Sequence, residues 1–144
     1  MPTPGQLWGE IRQLGYVIPD GTLERAIADF DNAAKLNPAD AVIYHARGIE
    51  YIAKGDLKAA LADLDKTVQL DAKRAGVYFA RGRARFYASD YARAAADFET
   101  ALQRDANLYI ALWLHLARKH GGLDDADELL ERETRRIRGG WPSP

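Results

Sequence analysis

The chain contains no cysteine. That excludes a disulfide framework, a thiolate metal site and a cysteine nucleophile, and it fits any redox compartment. Serine is nearly absent: Ser89 and Ser143 are the only two, and neither has a His or Asp context suited to a nucleophile. No apolar run approaches the roughly 18 residues that a membrane-spanning helix needs. An excess of charge of either sign is missing too. The 20 basic and 21 acidic side chains leave a formal charge of -1, so no global field attracts nucleic acid or an anionic membrane. No glycine-rich phosphate loop occurs. His45, His115 and His120 lack metal-site spacing, because the last two lie five apart on a helix and face different ways. No metal, cofactor or catalytic residue is therefore expected.

What remains is ordinary in bulk and ordered in detail. A length of 144 residues suits a single domain with a continuous core. With 47% hydrophobic and 28% charged residues, global disorder is excluded. Alanine and leucine dominate, while proline is sparse, which favours helix.

The strongest signal is a repeat. Shifted by 34 residues, Ala26, Ala60 and Ala94 superpose, as do Phe30, Leu64 and Phe98. The tripeptide Ala28-Asp29-Phe30 recurs as Ala62-Asp63-Leu64 and Ala96-Asp97-Phe98. Gly48 pairs with Gly82, Tyr44 with Tyr78, and Gly21, Gly55 and Ser89 align at a turn. A step of this size is that of a helix–turn–helix unit. Gly48 and Gly82 fall mid-helix, where glycine costs about 1 kcal/mol against alanine. That cost implies that a neighbouring helix must approach the backbone there. Eight helices are expected, at about 5–14, 22–36, 41–54, 57–70, 75–88, 91–104, 108–119 and 123–137. Asp124, Asp125, Asp127 and Glu128 bunch at the start of the last one, where the helix dipole favours negative charge. Arg132, Arg135, Arg136 and Arg138 suit its C-terminal end for the same reason.

The run Tyr44…Gly48…Tyr51…Gly55…Leu57…Ala60…Leu64 resembles the tetratricopeptide repeat. Repeats fall at about 5–40, 41–74, 75–108 and 109–138 of one domain spanning 1–144, with 139–144 as a tail. The second and third match best. Val17-Ile18-Pro19-Asp20 is an insertion in the first, and the last is shortened by two residues. Departures from the motif are Arg85 in place of Tyr, and Ala72 and Ala106 in place of Pro. The resemblance implies an all-α, right-handed solenoid of four helical hairpins. It also implies a non-catalytic scaffold that binds protein. A second resemblance covers Ile110-Ala111-Leu112-Trp113-Leu114-His115-Leu116-Ala117-Arg118, which is similar to the last repeat of bacterial lipoproteins of the new-lipoprotein-I type. Trp141-Pro142 beside a glycine pair is expected to lead into a further segment of a longer chain. The opening residues show no signal-peptide pattern. The sequence as given fits the cytoplasm, or the periplasm if an export signal has been removed.

In such a solenoid the first helix of each hairpin lines the concave side. The resemblance places Val42, His45, Ile49 and Ile52 there from the second repeat, and Phe79, Arg83, Phe86 and Tyr87 from the third. Ile110 and Trp113 follow from the fourth. Phe79, Phe86 and Trp113 are large and apolar for a free surface. They are expected to hold an apolar helix or extended segment, with Arg83 and His45 as polar fixtures. The alternatives are occupation by the chain's own further residues or by a second copy as a homodimer. A carboxylate clamp of the chaperone-tail type is not expected, since only Arg83 matches it.

Overall fold

The computed structural model describes residues 21–139. Among them lie seven α-helices and no strand: α1 (Thr22–Leu36), α2 (Ala41–Lys54), α3 (Leu57–Leu70), α4 (Ala75–Tyr87), α5 (Tyr91–Arg104), α6 (Leu108–His120) and α7 (Ala126–Arg138). The expected helix at 5–14 and the insertion at 17–20 lie outside the described residues.

Four of the described helices begin at a side chain that caps them. Asp40 accepts from the Val42 amide, Asp56 from Ala59, Asp90 from Arg93 and Asn107 from Tyr109. Each thereby satisfies an amide that has no partner inside the helix. Six of the seven described helices match the expected ranges within one residue. The last starts at Ala126 instead of 123. Its delay has a local cause. Gly122 takes a left-handed φ of 75°, and the Leu123 amide turns back to the Arg118 carbonyl at 3.0 Å, closing off α6 before a new helix can start.

The chain divides into two compact units, one ending at Ala72 and the other beginning at Lys73. In the first, α2 packs against both α1 and α3. Gly48 makes the α2–α3 contact possible, because a Cβ there would stand 2.9 Å from Leu64 Cγ. Ile27, Ile52, Ala60, Leu64 and Thr67 are buried between these helices.

In the second unit, α4 packs on α5, α5 on α6, and α6 on α7. The same device joins the first pair: a Cβ on Gly82 would lie 2.7 Å from Phe98 Cε1. Ala94, Ala95, Phe98, Ala101, Leu102, Ile110, Ala111, Leu114 and Ala117 form one core. The α6–α7 pair departs from the pattern. One repeat step beyond Gly82 stands Leu116, and it remains 41% exposed. A leucine in that place offers no hollow of the kind that Gly82 opens for Phe98.

The α4–α5 turn carries a strain of its own. Ser89 holds a left-handed φ of 62°, at the position where Gly21 and Gly55 have 103° and 84°. A side chain costs roughly 1–2 kcal/mol in that region and glycine does not. Ser89→Gly is therefore expected to raise stability by about 1 kcal/mol in chemical denaturation. An unchanged midpoint would show that Ser89 carries no strain.

Candidate interaction surface

On α4, Phe79, Arg83 and Phe86 recur at helical spacing, with Tyr87 beside them, and all four are half-buried. Trp113 of α6 stands against them. Its ring lies 5.4 Å from Phe86, 6.0 Å from Tyr87 and 6.1 Å from Phe79, each nearly edge-on. Such tilted contacts set the positive edge of one ring toward the negative face of another. Trp113 also lies 5.8 Å from the buried Phe98, so it is anchored in the core while part of its surface stays open. Tyr109, 57% exposed, extends the cluster past Phe79.

Arg83 is the cation of this face. Its guanidinium lies 5.7 Å from the Trp113 ring centre and 5.9 Å from that of Tyr87. These are cation–π distances. No carboxylate pairs with it among the described residues, and its Nε is buried without a hydrogen-bond acceptor.

Five of the ten expected site residues are thus brought together in one unit: Phe79, Arg83, Phe86, Tyr87 and Trp113. Val42, His45 and Ile49 lie on α2 in the other unit, where Val42 is 54% and Ile49 40% exposed. Ile52 and Ile110 are buried in the cores of their units, so they support the helices and present no surface. The aromatic residues also proved less open than expected, because each leans on the core as well as facing outward.

Tyr91 and His120 join the edge of the cluster, His120 lying 5.4 Å from Phe86 and 5.3 Å from Tyr91. His115 faces α7 instead, with Nδ1 3.1 Å from the Ala126 carbonyl. No three His, Cys, Asp or Glu side chains among the described residues are grouped to hold a metal ion.

The charged residues that sequence reasoning passed over sit inside the hairpins. Arg47 donates two bonds of 2.7 Å to Asp63, which is 6% exposed, and a third of 2.8 Å to Asp31. The hydrogen bond to Asp63 holds the Arg47 guanidinium well above its ordinary pKa, against the opposing effect of burial. Burial likewise pushes the neighbouring Tyr51 phenol up. In the second unit Asp97, 3% exposed, accepts from Arg81 at 3.0 and 2.9 Å and from Arg85 at 2.8 Å. The signal was present: Arg47 and Arg81 are one repeat step apart, as are the aspartates of the recurring tripeptide. The acidic start of α7 is engaged rather than free. Arg118 bridges Glu99 and Asp125, and Lys119 reaches Asp127 at 2.8 Å. The bond from Lys119 lowers the Asp127 pKa. Between α5, α6 and α7 runs a groove of about 530 Å³ floored by Leu102, Leu114 and Leu129, with the Arg118 bridge among its walls.

Residues 41–74 match the family model of the tetratricopeptide repeat. The TPR domain of Arabidopsis OM64 is 31% identical over 68% of this chain and 82% of its own, with a TM-score of 0.65. The chain belongs to the tetratricopeptide repeat family.

TPR architecture extends along most of it. A crystal structure of MamA is similar over 92% of this chain and 74% of that one, at 22% identity and a TM-score of 0.75. MamA 41-end from Desulfovibrio magneticus RS-1 is similar over 96% and 78%, at 19% identity and a TM-score of 0.75. These likenesses show an all-α, TPR-like solenoid fold. No curated protein matches the chain. TPR folds serve in general as protein-interaction scaffolds, so protein partners follow from membership. No helix among the described residues is long and apolar enough to cross a membrane. The departure from the TPR motif at Arg85 also has its explanation: where Tyr51 stands in the first unit, Arg85 supplies a second cation to Asp97.

Proposed function

We propose that the chain is a non-catalytic adaptor that holds a peptide or partner helix on the aromatic face of α4 and α6. The ligand chemistry that fits is an apolar side chain followed by a carboxylate. The supporting observation is Arg83, a cation stacked on Trp113 and Tyr87 with no acidic partner among the described residues. Rings offer apolar contact, and the guanidinium offers paired donors suited to a carboxylate. Three or four anchors of about 1.5–3 kcal/mol each, less the ordering of a flexible ligand, correspond to micromolar affinity. Val42 and Ile49 on α2 provide a second apolar patch for the same class of partner. Nothing in this arrangement calls for nucleic acid or a cofactor.

Selection of a displayed random-peptide library on the protein tests the proposal. The expected winners pair an aromatic or aliphatic residue with Asp or Glu, and Arg83→Ala weakens them about tenfold while the thermal transition holds. Trp113→Ala alone is a poorer probe, since that ring also supports the core. Winners without acidic residues, or binding indifferent to Arg83→Ala, would reject the site. Self-association is the second reading, and the observation favouring it lies on a different surface, the outward leucine face of α6.

A further inference from the structure

We infer that α6 is a self-docking helix, and that two copies of this chain pair through it in antiparallel register. This rests on the self-association reading and adds its surface and geometry.

Leu108, Leu112 and Leu116 are spaced four residues apart on α6 and are 37%, 44% and 41% exposed. Such spacing sets the three side chains along one side of the helix. In the preceding hairpin the equivalent positions are Tyr78 and Gly82, and there α5 packs against them. Here α7 is bonded to α6 through His115 and Lys119, and the three leucines keep about two-fifths of their surface open among the described residues. The stripe is contiguous, and nothing in the aromatic face uses it.

Its occupant follows from symmetry and charge. A stripe with equal steps on either side of Leu112 matches itself when the second helix runs the opposite way. Leu112 then meets its own copy, and Leu108 meets Leu116. The flanking charges agree with this direction. Just before α6 stands Asp105, whose side chain has no hydrogen bond or ion pair among the described residues. The last turn holds Arg118, Lys119 and His120, and Lys119 lies on the leucine side of the helix. Antiparallel pairing brings Lys119 of one copy toward Asp105 of the other and opposes the two helix dipoles. Parallel pairing would set like charges and like dipole ends together. A symmetric pair of this kind is closed, so it stops at a dimer. Three leucines per copy make a small contact of the weak class, below about 1,200 Å².

Sedimentation velocity across the micromolar range tests this on the full chain. The expected result is a reversible dimer whose dissociation constant rises about tenfold or more in Leu112→Glu. Asp105→Lys and Lys119→Asp should each weaken it, and the double reversal should restore it. That restoration depends on antiparallel register, and it separates the intermolecular contact from the Lys119–Asp127 pair within each chain. Because the protein has no cysteine, Leu112→Cys supplies an independent readout. Under mild oxidation it should form a disulfide dimer faster than Leu36→Cys, whose site is 88% exposed on α1. A monomer throughout would overturn the inference and the self-association reading together. A dimer that ignores Leu112→Glu, or equal crosslinking at the two cysteines, would overturn the α6 surface alone.

Discussion

Asp97→Ala is expected to lower the stability of the protein by about 3 kcal/mol, the low end of the loss from breaking a buried ion pair. The Asp97 side chain is 5% exposed and pairs with two guanidiniums, Arg81 and Arg85, which are themselves 16% and 18% exposed. Removing it takes away the buried carboxylate that accepts from both half-buried guanidiniums at 2.8–3.0 Å. Their residual contact with water is what keeps the loss from the upper end. Asp97→Asn preserves size and one acceptor, so it should cost less. Arg85→Tyr, which installs the TPR motif residue, removes one of the two cations that Asp97 serves and should soften Asp97→Ala when the two are combined. Urea unfolding at constant m-value measures each of these, and the double-mutant cycle reports the coupling. Additive losses would show that Arg85 and Asp97 act independently, against the 2.8 Å contact between them.

Phe98→Ala should cost as much or more, about 3–5 kcal/mol. The Phe98 ring is fully buried. It fills the hollow that Gly82 opens on α4, and it backs Phe79 at 5.7 Å and Trp113 at 5.8 Å. Truncation would leave a cavity where Phe98 meets Gly82 between α4 and α5, and would withdraw support from the proposed binding face. Peptide capture should therefore weaken together with stability. Phe98→Leu makes the argument specific. Leucine is what meets the matching glycine in the first unit, where Leu64 faces Gly48. That swap should cost under about 1.5 kcal/mol. A loss equal to that of Phe98→Ala would mean that the fit between glycine and its partner is not what joins the hairpin.

Much of this fold could be read before any coordinates. Local signals carry helix boundaries: an aspartate or asparagine that caps, a glycine or serine that turns left-handed, an alanine–leucine run between them. These act within four residues, so Asp56 caps α3 and Gly55 closes α2 whatever lies elsewhere. The glycines at 48 and 82 were likewise legible as contact points, because a mid-helix glycine has a cost that only packing offsets. The start of α7 was not legible, since the acidic run from Asp124 looks like a helix opening while the Leu123 amide is already committed to Arg118.

The candidate site was legible in part. The resemblance put Phe79, Arg83 and Phe86 on one face, and the structure sets Trp113 against Phe79 and Phe86 and under Arg83. It placed Ile52 and Ile110 on the same footing, and the structure buries both. The buried aspartates escaped notice because a charged residue reads as solvated until its partner is known, and each partner lies on another helix.

The sequence by itself thus determined the helices, their turns and the repeat step, and with the repeat the family to which the chain belongs. Those properties depend on residues close together along the backbone. Tertiary structure alone decided that Arg85 would share Asp97, that Trp113 would stand half in the core, and that the leucines of α6 would stay partly open. The physical reason is common to all three: burial and pairing depend on how near a neighbouring helix comes, and that distance depends on side chains tens of residues away.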